Sequence, residues 1–472
     1  MSPEEPRERS FIGNVNIVML TYAADGLLAL ATGALIARAL GTDGRGAYAL
    51  FVVSAAFGQL ILGLGIGNAA LYHLNKRQLR LRDVLGAVHA VVLASAAVTA
   101  GAVAIIAPVD ANIGSIGGRE IGFTGASIFG AGISPWLLVA AVPVLLYMSL
   151  LKLLLQALNR FIDLGVATVG QQAALLALIA LTFALGDPDA TDIVLFLLGA
   201  SGVTAAYALV RIGLSHLDLA WLVRPRIDVI VRLARWGVQG ELGNVLQLAN
   251  YRLDQYIVRD FVSLAAVGVY AVGTSMTEAV FILSNAVALV LLPRLTAVEA
   301  AEAARLAPVA CRNTVFVAAG GALALAAVAP VLIPAVFGDA FRDSVKALWL
   351  LLPGTVALAG SKVLTSYIFS QGRPIVNTGI TAVSLVVTIV ADLALIPRFG
   401  VNGAAGASSL AYAAHFAAAL FAYSRISGNA PLAAIVPRRE DATLYIDAAR
   451  KYLSRASRSR SISAGSETSA RP

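Results

Sequence analysis

Apolar runs of about twenty residues recur along the whole chain, separated by short segments that contain Gly, Pro or charged residues. A run of this length, coiled as an α-helix, crosses a hydrocarbon layer of roughly 30 Å. The pattern therefore predicts an all-α membrane protein with twelve spans. They lie near residues 12–39, 46–72, 84–107, 134–156, 164–184, 191–213, 236–258, 264–292, 309–336, 345–369, 375–396 and 399–423.

Composition agrees with a polytopic membrane protein. Of the 472 residues, 58% are hydrophobic and 13% are charged, whereas soluble domains carry about 25% charged residues. Cys311 is the single cysteine and the four histidines are scattered, so we expect neither a disulfide framework nor a metal site. The N-terminal MSPEEPRERS lacks the apolar region of a signal peptide and is expected to be retained.

Lys and Arg are distributed unevenly between the connections that join the predicted spans. Fourteen lie in the N-terminal tail and in alternate connections, whereas five lie in the opposite connections: Arg45, Arg119, Arg259, Arg342 and Arg398. Because Lys and Arg accumulate in cytoplasmic loops, the bias predicts that both termini face the cytoplasm.

Two short patterns recur in both halves of the chain. IARALG from residue 36, followed by GAYA from residue 46, resembles IVRDFV from residue 257, followed by GVYA from residue 268. LLQALNRF at 154–161 matches YIFSQGRP at 367–374, which aligns Arg160 with Arg373. Each half has an even number of spans, so the halves share an orientation and are related by pseudo-two-fold symmetry. In transporters with such repeats, the substrate site lies between the halves.

The repeats set the expected domain organisation. We expect a tail at 1–11, an N-lobe at 12–213 with spans one to six, and a C-lobe at 236–423 with spans seven to twelve. The lobes are joined by a basic amphipathic linker at 214–235, in which Trp221 is the expected interfacial anchor. The basic Ser/Arg-rich tail at 424–472 is expected to be largely disordered.

The seventh span carries a polar face along its whole length. With about 100° of turn per residue, five polar or charged residues fall within an arc of about 80°: Glu241, Asn244, Arg252, Gln255 and Arg259. Leu248 interrupts this face. Gln247 lies beyond its edge near Asp254, on a side that should contact a neighbouring helix, although Gln247 can still reach the margin of a cavity. Because lipid tolerates charge poorly, the main face should look onto water or the bundle interior.

Three other spans carry similar rows of polar residues. The rows are Asn14, Thr21, Asp25 and Thr32 in the first span, Tyr270, Thr274, Glu278 and Asn285 in the eighth, and Asn377, Thr381, Ser384, Thr388 and Asp392 in the eleventh. Several inward polar rows favour a hydrated lumen between the helices. The alternative is that each row hydrogen-bonds a neighbouring helix inside a dry core.

Basic residues within the spans are candidate anion-binding groups. Arg252 is the first candidate, and the alternative for it is a structural ion pair with Asp25, Glu241 or Glu278. Arg38 and Arg259 are repeat equivalents near the outer ends of their spans. Lys152 and Lys362 lie near the cytoplasmic ends, where snorkelling to the interface is the alternative. Asp25, Glu241 and Glu278 can titrate, so they are candidates for coupling transport to a proton or sodium gradient.

Motifs of enzymes are missing from the sequence. It contains no GxxxxGK[ST] phosphate-binding loop, no HExxH and no nucleophile elbow. The connection 108–133 carries only Asp110 and Glu120 as carboxylates, which disfavours a membrane glycosyltransferase. We expect a transporter that hydrolyses no ATP rather than an enzyme.

Several segments resemble the polysaccharide (oligosaccharide) flippases. These segments are IARALGTDGRGAYAL at 36–50, YRLDQYIV at 251–258, GVYAVGTSMTE at 268–278, LLPRL at 291–295, FSQGRPIVNTGI, and ADLALIPRFGVNGAAGAS at 391–408. That family shares the MOP superfamily with the MATE multidrug exporters and the lipid II flippases. The resemblance covers residues 12–423 and implies two six-helix lobes in a V shape. It also implies alternating access that moves a polyprenyl-pyrophosphate-linked oligosaccharide to the outer leaflet of a bacterial-type cytoplasmic membrane, for cell-surface polysaccharide biosynthesis.

The resemblance gives the candidate residues a role. A pyrophosphate and a glycan would lie in a cavity lined by eight side chains: Arg252, Arg38, Arg259, Gln255, Asn244, Gln247, Lys152 and Lys362. We expect no cofactor beyond H⁺ or Na⁺ as coupling ion. The expected partners are the lipid-linked oligosaccharide, membrane lipids and polysaccharide assembly proteins, and no nucleic acid.

Three alternatives stay open. A cation-coupled MATE-type drug exporter would suit the carboxylates of Asp25 and Glu278, but Arg252 argues against it. A lipid II flippase would be expected to have two further spans. A non-transporting scaffold of a glycan assembly complex would use the C-terminal tail for docking.

Overall fold

The computed structural model describes residues 11–113, 133–213 and 226–436. Within these ranges the chain forms eleven α-helices and the short 3₁₀ helices Asp339–Phe341 and Pro431–Ala434. The α-helices are α1 Phe11–Gly63, α2 Ile66–Asn75, α3 Leu81–Ile113, α4 Leu137–Ala157, α5 Phe161–Leu185, α6 Ala190–Gly213, α7 Ile227–Phe261, α8 Leu264–Ala297, α9 Ala300–Phe337, α10 Ser344–Ser370 and α11 Pro374–Ser427. The predicted N-terminal tail lies outside the described residues except for Phe11, and so does the first half of the predicted linker. Of the predicted C-terminal tail, residues 424–436 are described, and there α11 continues to Ser427 and is followed by the 3₁₀ helix Pro431–Ala434.

Two of these helices are bent at a glycine. Gly41 in α1 has φ 64° and ψ −167°, and Gly400 in α11 has φ 57° and ψ −133°. Positive φ is accessible to glycine without the steric cost of a Cβ. The first bend falls between the predicted spans one and two, and the second falls at the start of predicted span twelve. Eight of the described helices are long and apolar enough to cross a membrane, so the protein is multi-pass, while the count of twelve spans stays a prediction.

Helix α7 begins earlier than its predicted span. The sequence interpretation started span seven at residue 236, after an amphipathic linker that ended at 235. The structure continues one helix from Ile227 through both segments to Phe261. Val229 and Leu233 are buried in a cluster with residues of α2, α3 and α4, so the apolar side of the linker packs against protein.

The helices alternate in direction, so their connections fall at two ends of the bundle. We call the end with the connections around residues 76–80, 158–160 and 371–373 the basic end, and the other the far end. In the C-lobe, α10 lies centrally and packs against α8, α9 and α11. In the N-lobe, α4 packs against α3 and α6, and α5 against α1 and α6.

The lobes meet near the far end through two glycines. A Cβ at Gly46 would lie 2.1 Å from the Leu264 carbonyl oxygen, and a Cβ at Gly268 would lie 2.0 Å from that of Thr42. Each glycine therefore faces the carbonyl group four residues before the other. These are the two glycines that the sequence repeat aligns, so the contact is reciprocal and the pseudo-two-fold axis passes between α1 and α8.

A second glycine contact joins the lobes at the basic end. A Cβ at Gly65 would lie 2.4 Å from the Gly237 carbonyl oxygen, and a Cβ at Gly237 would lie 2.4 Å from that of Leu64. Beside this contact the Tyr72 ring stacks on Trp236, with centroids 4.9 Å apart and an interplanar angle of 18°. The seam between the lobes is thus closed at both ends.

We predict that Gly46→Ala destabilises the protein, because the added methyl group would overlap the Leu264 carbonyl and force α1 and α8 apart. Overpacking of this kind costs about 1–3 kcal/mol. The matched control is Gly320→Ala in α9, where no atom lies within 4 Å of the new Cβ; there alanine should be neutral or favourable by about 0.5–1 kcal/mol. Thermal unfolding in detergent measures both variants. Equal midpoints would contradict the close contact.

Candidate functional site

A cavity of about 330 Å³ lies between the two lobes towards the basic end. Its polar lining comes from both lobes: Gln59, Asn68 and Ser149 from α1, α2 and α4, and Glu241 and Asn244 from α7. Hydroxyl and amide groups from two lobes therefore face one partly open cavity, which is the arrangement expected of a site between repeats.

The part of the predicted polar face of α7 that lies nearest the basic end lines this cavity. Glu241 and Asn244 line the cavity, and Asn244 Nδ2 donates to Glu241 Oε2 at 3.1 Å. Leu248, which interrupts the face in the sequence, also lines the cavity. Gln247 is half-buried, and its Nε2 atom is buried without a hydrogen-bond partner among the described residues.

Arg252 lies one helical turn beyond Leu248 and forms an ion pair. Its Nη2 group donates to Glu278 Oε1 of α8 at 2.7 Å. The two side chains retain 29% and 56% of their accessible surface. Of the alternatives considered for Arg252, the pair with Glu278 is formed, and it lies at an accessible surface rather than in the sealed core.

Arg45 of the N-lobe adds a second guanidinium group to this region. It is an electrostatic neighbour of both Arg252 and Glu278, and its carbon Cζ lies 5.7 Å from the centroid of the Tyr48 ring. Its Nε atom is buried and has no acceptor within the described part of the chain. We call Arg45, Arg252 and Glu278 the seam cluster. With two arginines and one glutamate, it carries one net positive charge and a donor that has no acceptor.

Sequence reasoning missed Arg45 because it counted this residue only as a basic group in a connection. A signal was present, since Arg45 directly precedes Gly46. The repeat predicts that this glycine lies where the halves meet, so its neighbour was a candidate for the same interface.

Of the eight side chains predicted to line the cavity, Asn244 is the one found among the residues that line it in the described part of the chain. Arg38 is at the far end, where Nε donates to the Val336 carbonyl at 2.9 Å and Nη2 donates to the Ala335 carbonyl. It thus caps the C-terminal turn of α9 in the other lobe. Gln255 is 1% exposed, because the turn of α7 that carries it is covered by neighbouring helices. Arg259 is half-buried near the end of α7.

The two candidate lysines lie within separate lobes. Lys152 Nζ donates to Gln171 Oε1 at 2.8 Å and is an electrostatic neighbour of the half-buried Asp25. Lys362 Nζ lies 4.3 Å from the centroid of the Phe281 ring, within reach of a cation–π interaction. Neither lysine is among the residues that line the 330 Å³ cavity.

The polar row of α11 was interpreted as part of a lumen, and that interpretation is wrong in this structure. Thr381, Ser384, Thr388 and Asp392 are all buried. Ser384 and Thr388 donate to Asn250 Oδ1 of α7 at 3.2 and 2.6 Å. Ser384 and Thr388 therefore hydrogen-bond a neighbouring helix in the buried core, as the alternative interpretation predicts, whereas the Asp392 oxygens have no hydrogen-bond partner among the described residues.

The polar rows of the first and eighth spans each contain both buried and accessible side chains. Thr32 and Tyr270 are buried, whereas Asp25 is half-buried and Glu278 exposed. The side chains of Asn14 and Asn285 lie outside the described part of the structure.

Two buried carboxylates approach each other inside the C-lobe. Tyr270 Oη donates to Asp254 Oδ2, and Ser408 Oγ donates to the same oxygen at 3.0 Å. Asp392 is an electrostatic neighbour of Asp254. Asp254 Oδ1 and both Asp392 oxygens are buried without hydrogen-bond partners among the described residues. Because unpartnered buried carboxylates are costly, Asp254 and Asp392 are candidates for binding a shared proton or a small cation.

Residues 133–346 match a family model described as polysaccharide biosynthesis protein. No curated protein matches the chain. The match to this model confirms the resemblance that the sequence segments indicated.

Solved structures are similar over most of the chain. An inward-facing MATE family multidrug resistance transporter of the MOP superfamily has TM-score 0.64 and 16% identity, covering 86% of this chain and 95% of that one. The lipid II flippase MurJ in an inward closed conformation has TM-score 0.63 and 13% identity, covering 86% and 90%. An outward-facing MATE family transporter has TM-score 0.56 and 15% identity, covering 88% and 94%. These likenesses confirm the expected all-α, MATE-like fold.

We predict that Asn244→Cys reacts with a charged thiol reagent, because its side chain lines the cavity. Ser384→Cys, at a fully buried position that the sequence assigned to the lumen, should react much more slowly. The native Cys311 is buried and gives little background. Labelling rates of the folded protein in detergent provide the measurement. If Ser384→Cys were labelled as fast as Asn244→Cys, the C-lobe core would be hydrated and our assignment wrong.

Proposed function

We propose that this protein is a flippase that moves a polyprenyl-pyrophosphate-linked oligosaccharide from the cytoplasmic to the outer leaflet by alternating access. The observation that carries the proposal is the seam cluster, to which both lobes contribute and which lies next to an amide- and hydroxyl-lined cavity. The match of residues 133–346 to polysaccharide biosynthesis proteins supports it.

The chemistry of such a substrate suits these residues. A pyrophosphate needs cationic donors, and the planar fork of arginine fits phosphate oxygens in a bidentate manner. Arg45 and Arg252 supply two such groups, and a pyrophosphate can take the place of the Glu278 carboxylate as partner of Arg252. Sugar hydroxyls need amide and carboxylate partners, which Gln59, Asn68, Asn244 and Glu241 supply within a cavity next to the cluster.

The size of the cavity requires the lobes to move. Pockets of about 300–1,000 Å³ hold ligands of drug size, and 330 Å³ is at the lower limit, so an oligosaccharide does not fit in this state. We infer that entry requires separation of the lobes at the basic end, where Gly65 meets Gly237 and Tyr72 stacks on Trp236. The Gly46–Gly268 contact and the Arg38 cap keep the far end closed meanwhile.

The excess of Lys and Arg supports placing the basic end in the cytoplasm. Both termini would then be cytoplasmic, in a bacterial-type cytoplasmic membrane. In this orientation the closed far end faces outwards, and the substrate enters from the side on which lipid-linked precursors would be made.

The coupling ion is proposed to bind at Asp254 and Asp392. Sequence reasoning named Asp25, Glu241 and Glu278 for this role, but Glu278 pairs with Arg252 and Glu241 faces the cavity. Asp254 and Asp392 lie in a dry interior with unpartnered oxygens, where addition of H⁺ or Na⁺ changes the electrostatic energy most. Asp254 is in α7, two residues from Arg252, so occupancy can bias the helix that carries the anion site.

A cation-coupled drug exporter is the second candidate function, and Glu241 in the cavity is the observation that favours it. A carboxylate would attract an organic cation, whereas the seam cluster would repel it. Transport of a fluorescent organic cation by reconstituted protein, with no flipping of a polyprenyl pyrophosphate, would favour this alternative.

We predict that Arg252→Ala lowers flipping of a fluorescent polyprenyl-pyrophosphate oligosaccharide in proteoliposomes. Loss of a charge-assisted contact of about 1.5–3 kcal/mol corresponds to a reduction of about 10- to 100-fold. The matched control is Arg342→Ala, an exposed arginine that pairs with Asp339 at the far end and should retain full activity. Wild-type flipping by folded Arg252→Ala protein would remove Arg252 from the anion site. Lipid II in the same assay tests the peptidoglycan precursor as substrate.

We further predict that Asp254→Asn and Asp392→Asn remove the dependence of flipping on an ion gradient, because each replaces a carboxylate that would bind the coupling ion. Initial rates are measured with and without imposed proton and sodium gradients. The control Asp25→Asn, in the N-lobe, should show the same dependence of flipping on the ion gradient as the wild type. Retention of the dependence in both C-lobe variants would place the coupling site elsewhere.

A further inference from the structure

Two arginines share one aspartate at the basic end of the N-lobe. Arg160, just before α5, donates from Nε to Asp163 Oδ2 at 2.7 Å, and Arg211, in the last turn of α6, donates from Nε to Asp163 Oδ1 at 2.7 Å. Tyr207 Oη donates to Oδ1 at 3.1 Å. Arg160 Nη1 also donates to the Arg211 carbonyl oxygen. We call these four residues the arginine clamp.

The clamp leaves one edge of the Arg211 guanidinium group accessible, whereas Arg160 uses both Nε and Nη1 for contacts within the clamp. The carboxylate occupies the Nε side of both arginines, and an arginine has five N–H donors. Within the described residues, Nη1 and Nη2 of Arg211 make no further hydrogen bond, and the Arg211 side chain is 43% exposed. Two arginines and one carboxylate leave one net positive charge. Because the arginines are already ordered, binding an anion costs little further side-chain entropy.

The surroundings of the clamp indicate where the anion comes from. Ile162 and Val166 of α5 and Val210 of α6 are exposed beside it, so an apolar surface that faces lipid begins at the clamp. Helix ends of this kind lie at the level of lipid headgroups. Anionic lipids are attracted to basic groups at the cytoplasmic surface. A phosphate held here would have its acyl chains against the apolar surface.

The C-lobe lacks this arrangement. Arg373, which the sequence repeat aligns with Arg160, is exposed and has no side-chain hydrogen bond or ion pair within the described residues. Both lobes carry an arginine at this point of the repeat, but only the arginine of the N-lobe is held by an aspartate. The clamp is therefore a specific arrangement and not a consequence of the general excess of basic residues.

We propose that the arginine clamp binds the phosphate of an anionic phospholipid, with phosphatidylglycerol as the simplest ligand. The site lies on the outer surface of the N-lobe and is separate from the seam cluster. It does not depend on the proposed transport function.

A local probe tests this proposal. Val210→Cys, beside the clamp, and Ile375→Cys, two residues after Arg373, are labelled with bimane in otherwise unchanged full-length protein; Ile375 is 75% exposed, and the native Cys311 is buried. Vesicles of phosphatidylcholine contain a minor fraction of brominated phosphatidylglycerol or of brominated phosphatidylcholine. Bimane fluorescence at position 210 should be quenched more by brominated phosphatidylglycerol than by brominated phosphatidylcholine, to an extent that corresponds to about fivefold stronger binding. At position 375, the two brominated lipids should quench bimane fluorescence to the same extent.

Arg211→Gln should reduce the preference at position 210 to the level at position 375, while Arg373→Gln should leave it unchanged. Thermal unfolding in detergent without added phospholipid confirms that each variant is folded. Equal preference at both positions in the wild type, or a preference unaffected by Arg211→Gln, would overturn the proposal. Full displacement of the lipid by added inorganic phosphate would also overturn it, because the clamp would then bind a free anion. Neither the fluorescence quenching nor the thermal unfolding depends on flipping activity. The lipid-binding proposal is therefore tested independently of the transport function.

Discussion

The close approach of two backbones at Gly46 and Gly268 is the constraint on which the arrangement of the lobes depends. In a membrane the hydrophobic effect does not drive helices together, so association relies on packing between small residues. Any side chain at either position would meet a carbonyl oxygen of the other lobe. The contact is reciprocal and lies on the pseudo-two-fold axis. It therefore holds α1 and α8 together near the far end, and it brings Arg45, the neighbour of Gly46, into the seam.

Polar groups within the helices fall into two classes with different consequences. Those at the seam, such as Arg252, Glu278, Glu241 and Asn244, keep access to the surface or to the cavity. Those in the C-lobe core are fully buried and are held by side chains of adjacent helices, as Asn250 is by Ser384 and Thr388. Asp254 and Asp392 belong to the second class but retain oxygens without hydrogen-bond partners among the described residues, and for that reason we propose this pair as the ion site.

Much of the fold could be predicted from the sequence. Apolar length located the helices, and the repeat identified Gly46 and Gly268 as equivalent before their contact was known. Helical periodicity correctly grouped Glu241 and Asn244, but it could not show which side of α7 the other helices cover. Gln255 shares their face in sequence and is buried in the structure, and the row on α11 is buried as well. The proximity of Asp254 to Asp392, and the contact of Arg38 with the end of α9, join residues far apart in the chain, which no local pattern encodes.

The most direct test of the central claim measures the distance between the lobes at both ends of the bundle. Spin labels at positions 77 and 373 report on the basic end, and labels at positions 43 and 343 report on the far end; all four residues are exposed. Pulsed electron–electron double resonance in proteoliposomes, with and without a polyprenyl-pyrophosphate substrate and an ion gradient, gives the two distance distributions. The account predicts two populations in which a longer distance at one end accompanies a shorter distance at the other. A single unchanged distribution at both ends, or distances that lengthen together, would contradict it.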